Sequence, residues 1–351
     1  MFSRKRLPST NTMTQKRTSN IHYFVRDIAI SPPLVLAPME GVTNNTFRRL
    51  VRSIGGQGLT YTEFVASKAL KDRGKKALST AQFDPDENPI AIQIYGKDPY
   101  TMAEAAKVVE DLGANIVDIN MGCPSKKVCA HSGGSALMKD PKAAIEIVKA
   151  VRAAISVPLT VKMRSGFDQE RRNAPELAYM CQQEGAEAIT IHWRTREDRY
   201  GGVRAIDKIA ETKAKLSIPV IANGDIIDTS SALKMLRETN CDGLMIGRGA
   251  IRNPWVFQEI KAALWGLEYT PPTLRERRAL LERFIDRYRE AFRVERHSIG
   301  KIKQIAKYFY NGLPDGEELR RTILRSQTID EIEEHIRVFF GRYDEKEREG
   351  Q

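Results

Sequence analysis

From residue 34 onward, short runs of apolar and β-branched residues alternate with longer stretches whose apolar positions recur at helical spacing. A strand buried on both faces needs an apolar residue at almost every position, and its regular alternation with amphipathic helices marks a parallel sheet joined by crossover helices. The apolar runs predict strands at 34–39, 59–64, 90–95, 116–121, 159–163, 188–193, 219–223 and 243–247. Between them, 101–112, 141–154, 174–184 and 230–239 predict helices, with Gly or Asn near several of their ends. Eight units of roughly 25 to 30 residues favour a closed (β/α)8 TIM barrel over an open doubly wound sheet.

The pattern breaks over 265–273, where Gly266 and the pair Pro271 and Pro272 interrupt helical spacing. Apolar periodicity then resumes at 274–292, 299–310, 316–326 and 328–340, which predicts a small C-terminal helical bundle. The division expected is a barrel domain over 21–265 and a helical domain over 273–345. Residues 1–20 are rich in Ser, Thr, Lys and Arg, contain no acid and have no apolar core, which predicts a disordered basic tail. An organellar import segment shares that composition, so import stays open beside the cytoplasmic location expected.

Composition narrows the class. The 351 residues are 41% hydrophobic and 29% charged, enough for a large core, and no apolar run approaches the roughly 20 residues of a membrane helix. No membrane association is expected. The four cysteines, Cys123, Cys129, Cys181 and Cys241, lack the dense spacing of a disulfide scaffold, and Cys123 with Cys129 has no matching second pair for a structural zinc. No metal is expected, and Cys181 and Cys241 read as core residues. A formal net charge of +11 invites a polyanionic partner, and over 271–325 basic residues outnumber acidic ones.

The residues with chemistry to offer cluster at one kind of place. Gln93, Asn120 with Cys123, Lys162 with Arg164, His192, Asn223 with Asp225, and Arg248 all fall at or just beyond the carboxyl end of an expected strand. That is the end at which barrel enzymes assemble their sites. No G-x-G-x-x-G follows the first strand, so a dedicated dinucleotide-binding domain is not expected.

Eight segments carry a resemblance. They are Ala37-Pro38-Met39-Glu40-Gly41-Val42-Thr43, Gln93-Ile94-Tyr95-Gly96, Asp118-Ile119-Asn120-Met121-Gly122-Cys123-Pro124 and Gly133-Gly134-Ser135-Ala136-Leu137. Val161-Lys162-Met163-Arg164-Ser165-Gly166, His192-Trp193-Arg194-Thr195-Arg196, Ala222-Asn223-Gly224-Asp225-Ile226 and Met245-Ile246-Gly247-Arg248-Gly249-Ala250 follow. In order and spacing the set resembles the tRNA-dihydrouridine synthase family over about 34–264, with weaker similarity in the helical tail. One departure is Trp193, where many relatives carry a small residue.

The resemblance implies a bound FMN, with NADPH as reductant and NADH left open, and tRNA as partner; the oligomeric state is open, with a monomer favoured. Gly224 and Gly247 offer backbone donors to a phosphate without crowding it, and Arg248 adds charge, with Asn223 and Asp225 beside them. Lys162 is implied near the flavin ring, where a cation favours the reduced anionic form. Gln93 is implied at the ring's polar edge, Pro38, Met39 and Glu40 packed beside it, and His192 in contact with it. Cys123 is implied as the acid that protonates one uracil carbon while a hydride reaches the other, a role suited to a thiol protonated at neutral pH. Asn120 and Arg164 are implied in the uridine pocket, and Lys301, Lys303, Lys307, Arg320, Arg321 and Arg325 in the surface presented to tRNA, where their spacing suggests one stripe. The position modified is not legible. Two rivals remain: a flavin barrel acting on free pyrimidines, and a non-catalytic tRNA binder on a barrel scaffold.

Overall fold

A computed structural model of the chain describes residues 22–349 except 131–132, 199–200, 203, 293–294, 307–308, 311–312 and 314. The basic segment 1–20 and Lys307 lie outside the described residues. β1 (Tyr23–Val25) and β2 (Ile28–Ile30) form an antiparallel hairpin. The barrel strands follow: β3 (Leu34–Leu36), β4 (Leu59–Tyr61) with a two-residue extension β5 (Val65–Ala66), β6 (Ile90–Tyr95), β7 (Ile116–Met121), β8 (Leu159–Arg164), β9 (Ala188–His192), β10 (Val220–Asn223) and β11 (Gly243–Ile246). Each pairs in parallel with its neighbour, and β11 pairs back onto β3, so the eight strands close into a (β/α)8 barrel.

Helices cover the outside: α1 (Asn45–Ile54), α2 (Ser67–Lys71), α3 (Lys75–Ala81), α4 (Pro99–Asp111), α5 (Lys126–Ala130), α6 (Pro141–Ala154), α7 (Ala174–Gln183), α8 (Asp207–Lys215), α9 (Thr229–Thr239), α10 (Arg248–Arg252) and α11 (Val256–Trp265). Several starts are set by an Asp or Asn whose side chain accepts from a first-turn N–H, as Asp98, Asp140 and Asp228 do. None of the described helices is long and apolar enough to cross a membrane.

The strands' apolar runs divide by parity. Leu34, Leu36, Ile92, Ile94, Ile119, Val161, Met163, Ile189 and Ile191 pack outward under the helices. Val35, Leu59, Ala91, Ile116, Ala188 and Ile221 point inward and meet Tyr23, Val25 and Ile30, so the hairpin seals the amino end of the barrel. On the same inward parity, further along each strand, stand Gln93, Asp118, Asn120, Thr160, Lys162, Thr190, His192 and Asn223. The inside is therefore apolar at the amino end and polar toward the carboxyl end.

Four more helices follow, α12 (Leu274–Ala291), α13 (Glu295–Ala306), α14 (Gly316–Arg325) and α15 (Ile329–Glu349). α12 opens on a capping box in which Thr273 and Glu276 satisfy each other's backbone N–H. Its buried face, Leu280, Leu281, Phe284, Ile285 and Tyr288, joins the same apolar cluster as the barrel's outer residues. The bundle and the barrel thus share one continuous core, stitched by Phe309 between Trp255 and Phe284.

Candidate active site

Strand register brings the polar inward residues into two tiers. Gln93 lies opposite Asp118, Asn120 opposite Lys162, Arg164 opposite His192, and His192 opposite Asn223. They border a cavity of about 1290 Å³ at the carboxyl ends of the strands, whose wall also includes Pro38, Met39, Glu40, Cys123, Gly224, Asp225, Gly247 and Arg248. Every barrel residue expected in the site borders this one cavity.

The lower tier is a relay of side-chain hydrogen bonds. Thr160 Oγ1 donates to Asp118 Oδ1 at 2.6 Å, Gln93 Nε2 to Asp118 Oδ2 at 2.6 Å, and Asn120 Nδ2 to Gln93 Oε1 at 2.6 Å. Its last member governs the loop after β7. Asn120 Oδ1 accepts from the N–H groups of Gly122 (2.9 Å) and Cys123 (2.8 Å). Arg164 Nε donates to Gly122 O at 2.6 Å and its Nη1 to Thr195 O at 2.7 Å. Cys123 O accepts from Ser135 N (3.1 Å), Ser135 Oγ (2.9 Å) and Cys129 Sγ (3.5 Å). The backbone on both sides of the Cys123 thiol is therefore fixed. Asn120 and Arg164 border the cavity, and their polar atoms largely hold this loop.

Burial sets the protonation of the reactive groups. It pushes the Cys123 thiol above its ordinary value, so the thiol carries its proton at neutral pH and can donate it. Burial lowers Lys162 to about 8, helped by the Arg164 charge and opposed by Asp118. Its ammonium donates to Asn223 Oδ1 at 3.1 Å, and Asn223 Nδ2 donates on to Met245 O at 2.7 Å. His192 is held well below its usual range by burial and by Arg164 and Lys162, so its imidazole is neutral. Asp118 rises to about 7 through burial.

The far end of the cavity is built for an anion. Gly224 has φ +120, and a Cβ there would lie 2.5 Å from the Trp193 indole and 2.7 Å from the His192 ring, so only glycine fits. The Trp193 indole N–H, on a residue 3% exposed, has no hydrogen-bond partner among the described residues. Asp225, also in the left-handed region, accepts a bidentate pair from Arg194 (3.0 and 2.7 Å) and a bond from Arg248 Nη2 (2.5 Å). Its carboxylate holds the two guanidinium groups in place, which makes it an orienting group for the cations beside Gly224 and Gly247. Two cations, two glycines without side-chain bulk and a wide ring-lined cavity fit a phosphate-bearing aromatic cofactor.

Arg194 was not singled out from sequence, although it lies within the motif that opens at His192. Asp118 has no local signature either, because one acid inside an apolar run gives no sign that both neighbouring strands donate to it.

Most of the described tail cations are engaged within the fold. Lys301 Nζ donates to Gly41 O and Lys303 Nζ to Ser326 O. Arg320 and Arg321 pair with Glu317 at 2.8 and 3.5 Å, and Arg325 is exposed at the end of α14. Beside the cavity a second recess of about 830 Å³ shares Lys126, Arg196 and Glu197 with it and adds Lys97 and Lys139. None of these four cations forms an ion pair among the described residues. Lys139 and Arg196 rest on the Phe167 ring at 4.1 and 5.2 Å.

Residues 35–341 match the family described as dihydrouridine synthase. The chain is 38% identical over 310 residues to tRNA-dihydrouridine synthase B of Pseudomonas aeruginosa, covering 88% of this chain and 92% of that protein. It is 38% identical over 324 residues to a probable tRNA-dihydrouridine synthase of Rickettsia conorii, covering 90% and 96%. With tRNA-dihydrouridine synthase B of Xanthomonas axonopodis pv. citri the identity is 43% over 244 residues, 70% and 73% of the two chains. A match running from the first barrel strand into the last helix, with relatives aligned over nearly their whole length, shows that this chain belongs to the dihydrouridine synthase family.

Proposed function

We propose that the protein reduces particular uridines of tRNA to 5,6-dihydrouridine, with FMN held in the barrel mouth, electrons from NADPH and a proton from Cys123. The observation that carries the reading is the Cys123 loop: a protonated thiol at the cavity edge, with its flanking peptides fixed by Asn120, Arg164 and Ser135. The family membership and the names of the relatives support the substrate class.

Gly224, Gly247, Arg194 and Arg248 would hold the phosphate of FMN, and Pro38, Met39, Lys162 and His192 would border its ring. Bound FMN supplies the hydride. Lys162, charged below about pH 8, favours negative charge on whatever ring lies beside it, while neutral His192 adds no further cation. Cys123 Sγ–H faces the cavity and gives its proton to the uracil carbon that does not receive the hydride; the C5–C6 double bond is lost and two C–H bonds are gained. The thiolate left behind faces the Arg164 charge and is reprotonated from solvent.

A base stacked in folded tRNA cannot enter a barrel mouth, so the uridine must be extruded, and the RNA backbone must be gripped nearby. The cations of the adjoining recess, without ion pairs among the described residues, favour a grip at the barrel rim, with Arg325 a further contact on the bundle.

The test is dihydrouridine content of tRNA after incubation with purified protein, FMN and NADPH. Cys123→Ala is expected to lower the yield by roughly 10²-fold or more, the scale of a lost general acid, while NADPH oxidation by oxygen persists. Cys129→Ala is expected to be mild. Reduction of free uracil with none of tRNA, or a wild-type yield from Cys123→Ala, would overturn the proposal.

A further inference from the structure

The cavity wall formed by Pro38, Met39 and Glu40 belongs to a turn that closes on itself. Met39 O accepts from Val42 N and Thr43 N, both at 3.0 Å, and Met39 N donates to Thr43 Oγ1 at 2.9 Å. At its apex Gly41 has φ +72. Its peptide groups are held from two sides: Gly41 N donates to Glu63 Oε2 at 2.5 Å, and Gly41 O accepts from Lys301 Nζ of α13. The ammonium comes so close that a Cβ at residue 41 would lie 3.0 Å from it. Lys301 is 260 residues away in sequence and belongs to the helical bundle. A second contact from the bundle lands on the end of the same turn, where Tyr288 OH of α12 exchanges hydrogen bonds with the Asn44 side chain at 3.0 and 3.1 Å. Asn44 in turn caps α1 by accepting from Phe47 N.

We propose that Lys301 is a positioning residue, through which the helical bundle sets the cavity wall of Pro38, Met39 and Glu40. The resemblance implies a tRNA contact for Lys301; in the fold its ammonium gives one hydrogen to a barrel carbonyl. The consequence for the flavin rests on the function proposed above; the consequence for the turn does not. Glu63 and Lys301, of opposite charge, grip the two peptides that flank the Gly41 Cα. Losing the Lys301 side leaves a left-handed Gly41 free to relax, and Met39 moves with it.

Lys301→Met keeps the aliphatic stem and removes the donors, and Lys301→Arg restores a cation. Amide exchange in the full-length protein reads the turn directly at Gly41, Val42 and Thr43. Lys301→Met is expected to speed exchange there by roughly tenfold, the scale of one hydrogen bond to a charged group, and Lys301→Arg to recover part of it. With FMN, Lys301→Met is expected to weaken binding several-fold and to shift the flavin absorbance bands, while the flavin-saturated variant keeps its affinity for tRNA. Unchanged exchange at the turn would overturn the proposal, as would a loss of tRNA affinity with exchange and flavin spectrum intact. If wild-type protein binds no FMN, the flavin reading fails by itself, and the exchange measurement still decides the role of Lys301.

Discussion

Asn120 works through both ends of one amide, taking two backbone N–H groups of the Cys123 loop on its oxygen and giving a hydrogen to Gln93. Asn120→Ala would leave those N–H groups without their acceptor and free the loop that carries the thiol. It is expected to lower dihydrouridine formation by more than tenfold while NADPH oxidation by oxygen is largely kept; equal losses in both would mean the residue acts on the cofactor side instead. Lys162 offers a test through pH. Its pKa of about 8 in the ligand-free protein lies below the ordinary 10.5, because burial disfavours the ammonium. An anionic ligand beside it reverses that bias and raises the pKa, so FMN binding at pH 8.5 should take up a fraction of a proton. Calorimetry in two buffers of different ionisation heat measures the uptake, and Lys162→Met should abolish it. For stability the sign is the opposite of a stabilising ion pair. Between about pH 8 and 10.5 the unfolded chain binds the proton that the folded one has lost, so Lys162 penalises the fold less as pH rises through that window.

At the scale of elements, strand cores were legible because a strand buried on both faces must be apolar throughout: 90–95 and 116–121 coincide with β6 and β7. Ends were less so. The expected strand 34–39 stops at Leu36, since the turn at Gly41 bends the chain across the barrel mouth. The expected 59–64 splits into β4 and β5. The helix expected at 299–310 occupies Glu295–Ala306 instead, and the one expected at 328–340 runs on to Glu349, because charged residues at its end carry helical propensity without apolar periodicity. One tie between elements had no local signature. Arg48 of α1 and Glu87 are both fully buried and paired at 2.6 Å, and Arg48 also donates to Thr43 O and Gln82 O. Removing one partner strands the other's charge, so Glu87→Ala is expected to cost about 3–5 kcal/mol in denaturant unfolding. A cost under about 1 kcal/mol would mean that water reaches Arg48 and that the pair does not anchor α1.

For the whole molecule, the net charge of +11 says that a polyanion is welcome and not where. Ion pairing within the fold sorts the cations. Arg320 and Arg321 are matched by Glu317, and Lys303 is bound to the end of α14, whereas Lys97, Lys126, Lys139 and Arg196 surround a recess without ion pairs among the described residues. Replacing Lys97, Lys126 and Lys139 together by Ala should therefore weaken tRNA binding and lower the slope of log affinity against log salt by roughly two to three. Arg320→Ala with Arg321→Ala should change the slope by less than about one. The reverse ranking would put the main grip on the bundle.

What the sequence determined by itself was the kind and order of the parts: eight apolar runs, the residues that follow them, and a helical tail. Those signals are local, set by periodicity of two or 3.6 and by residue chemistry at strand ends. Tertiary structure alone decided whom each polar group meets. Asp225 orients two arginines, Asn120 holds the loop of Cys123, and Lys301 reaches Gly41 across 260 residues. Such pairings follow from barrel closure and from the bundle's dock on α1, and no local pattern encodes the distance between two residues that the chain brings together only on folding.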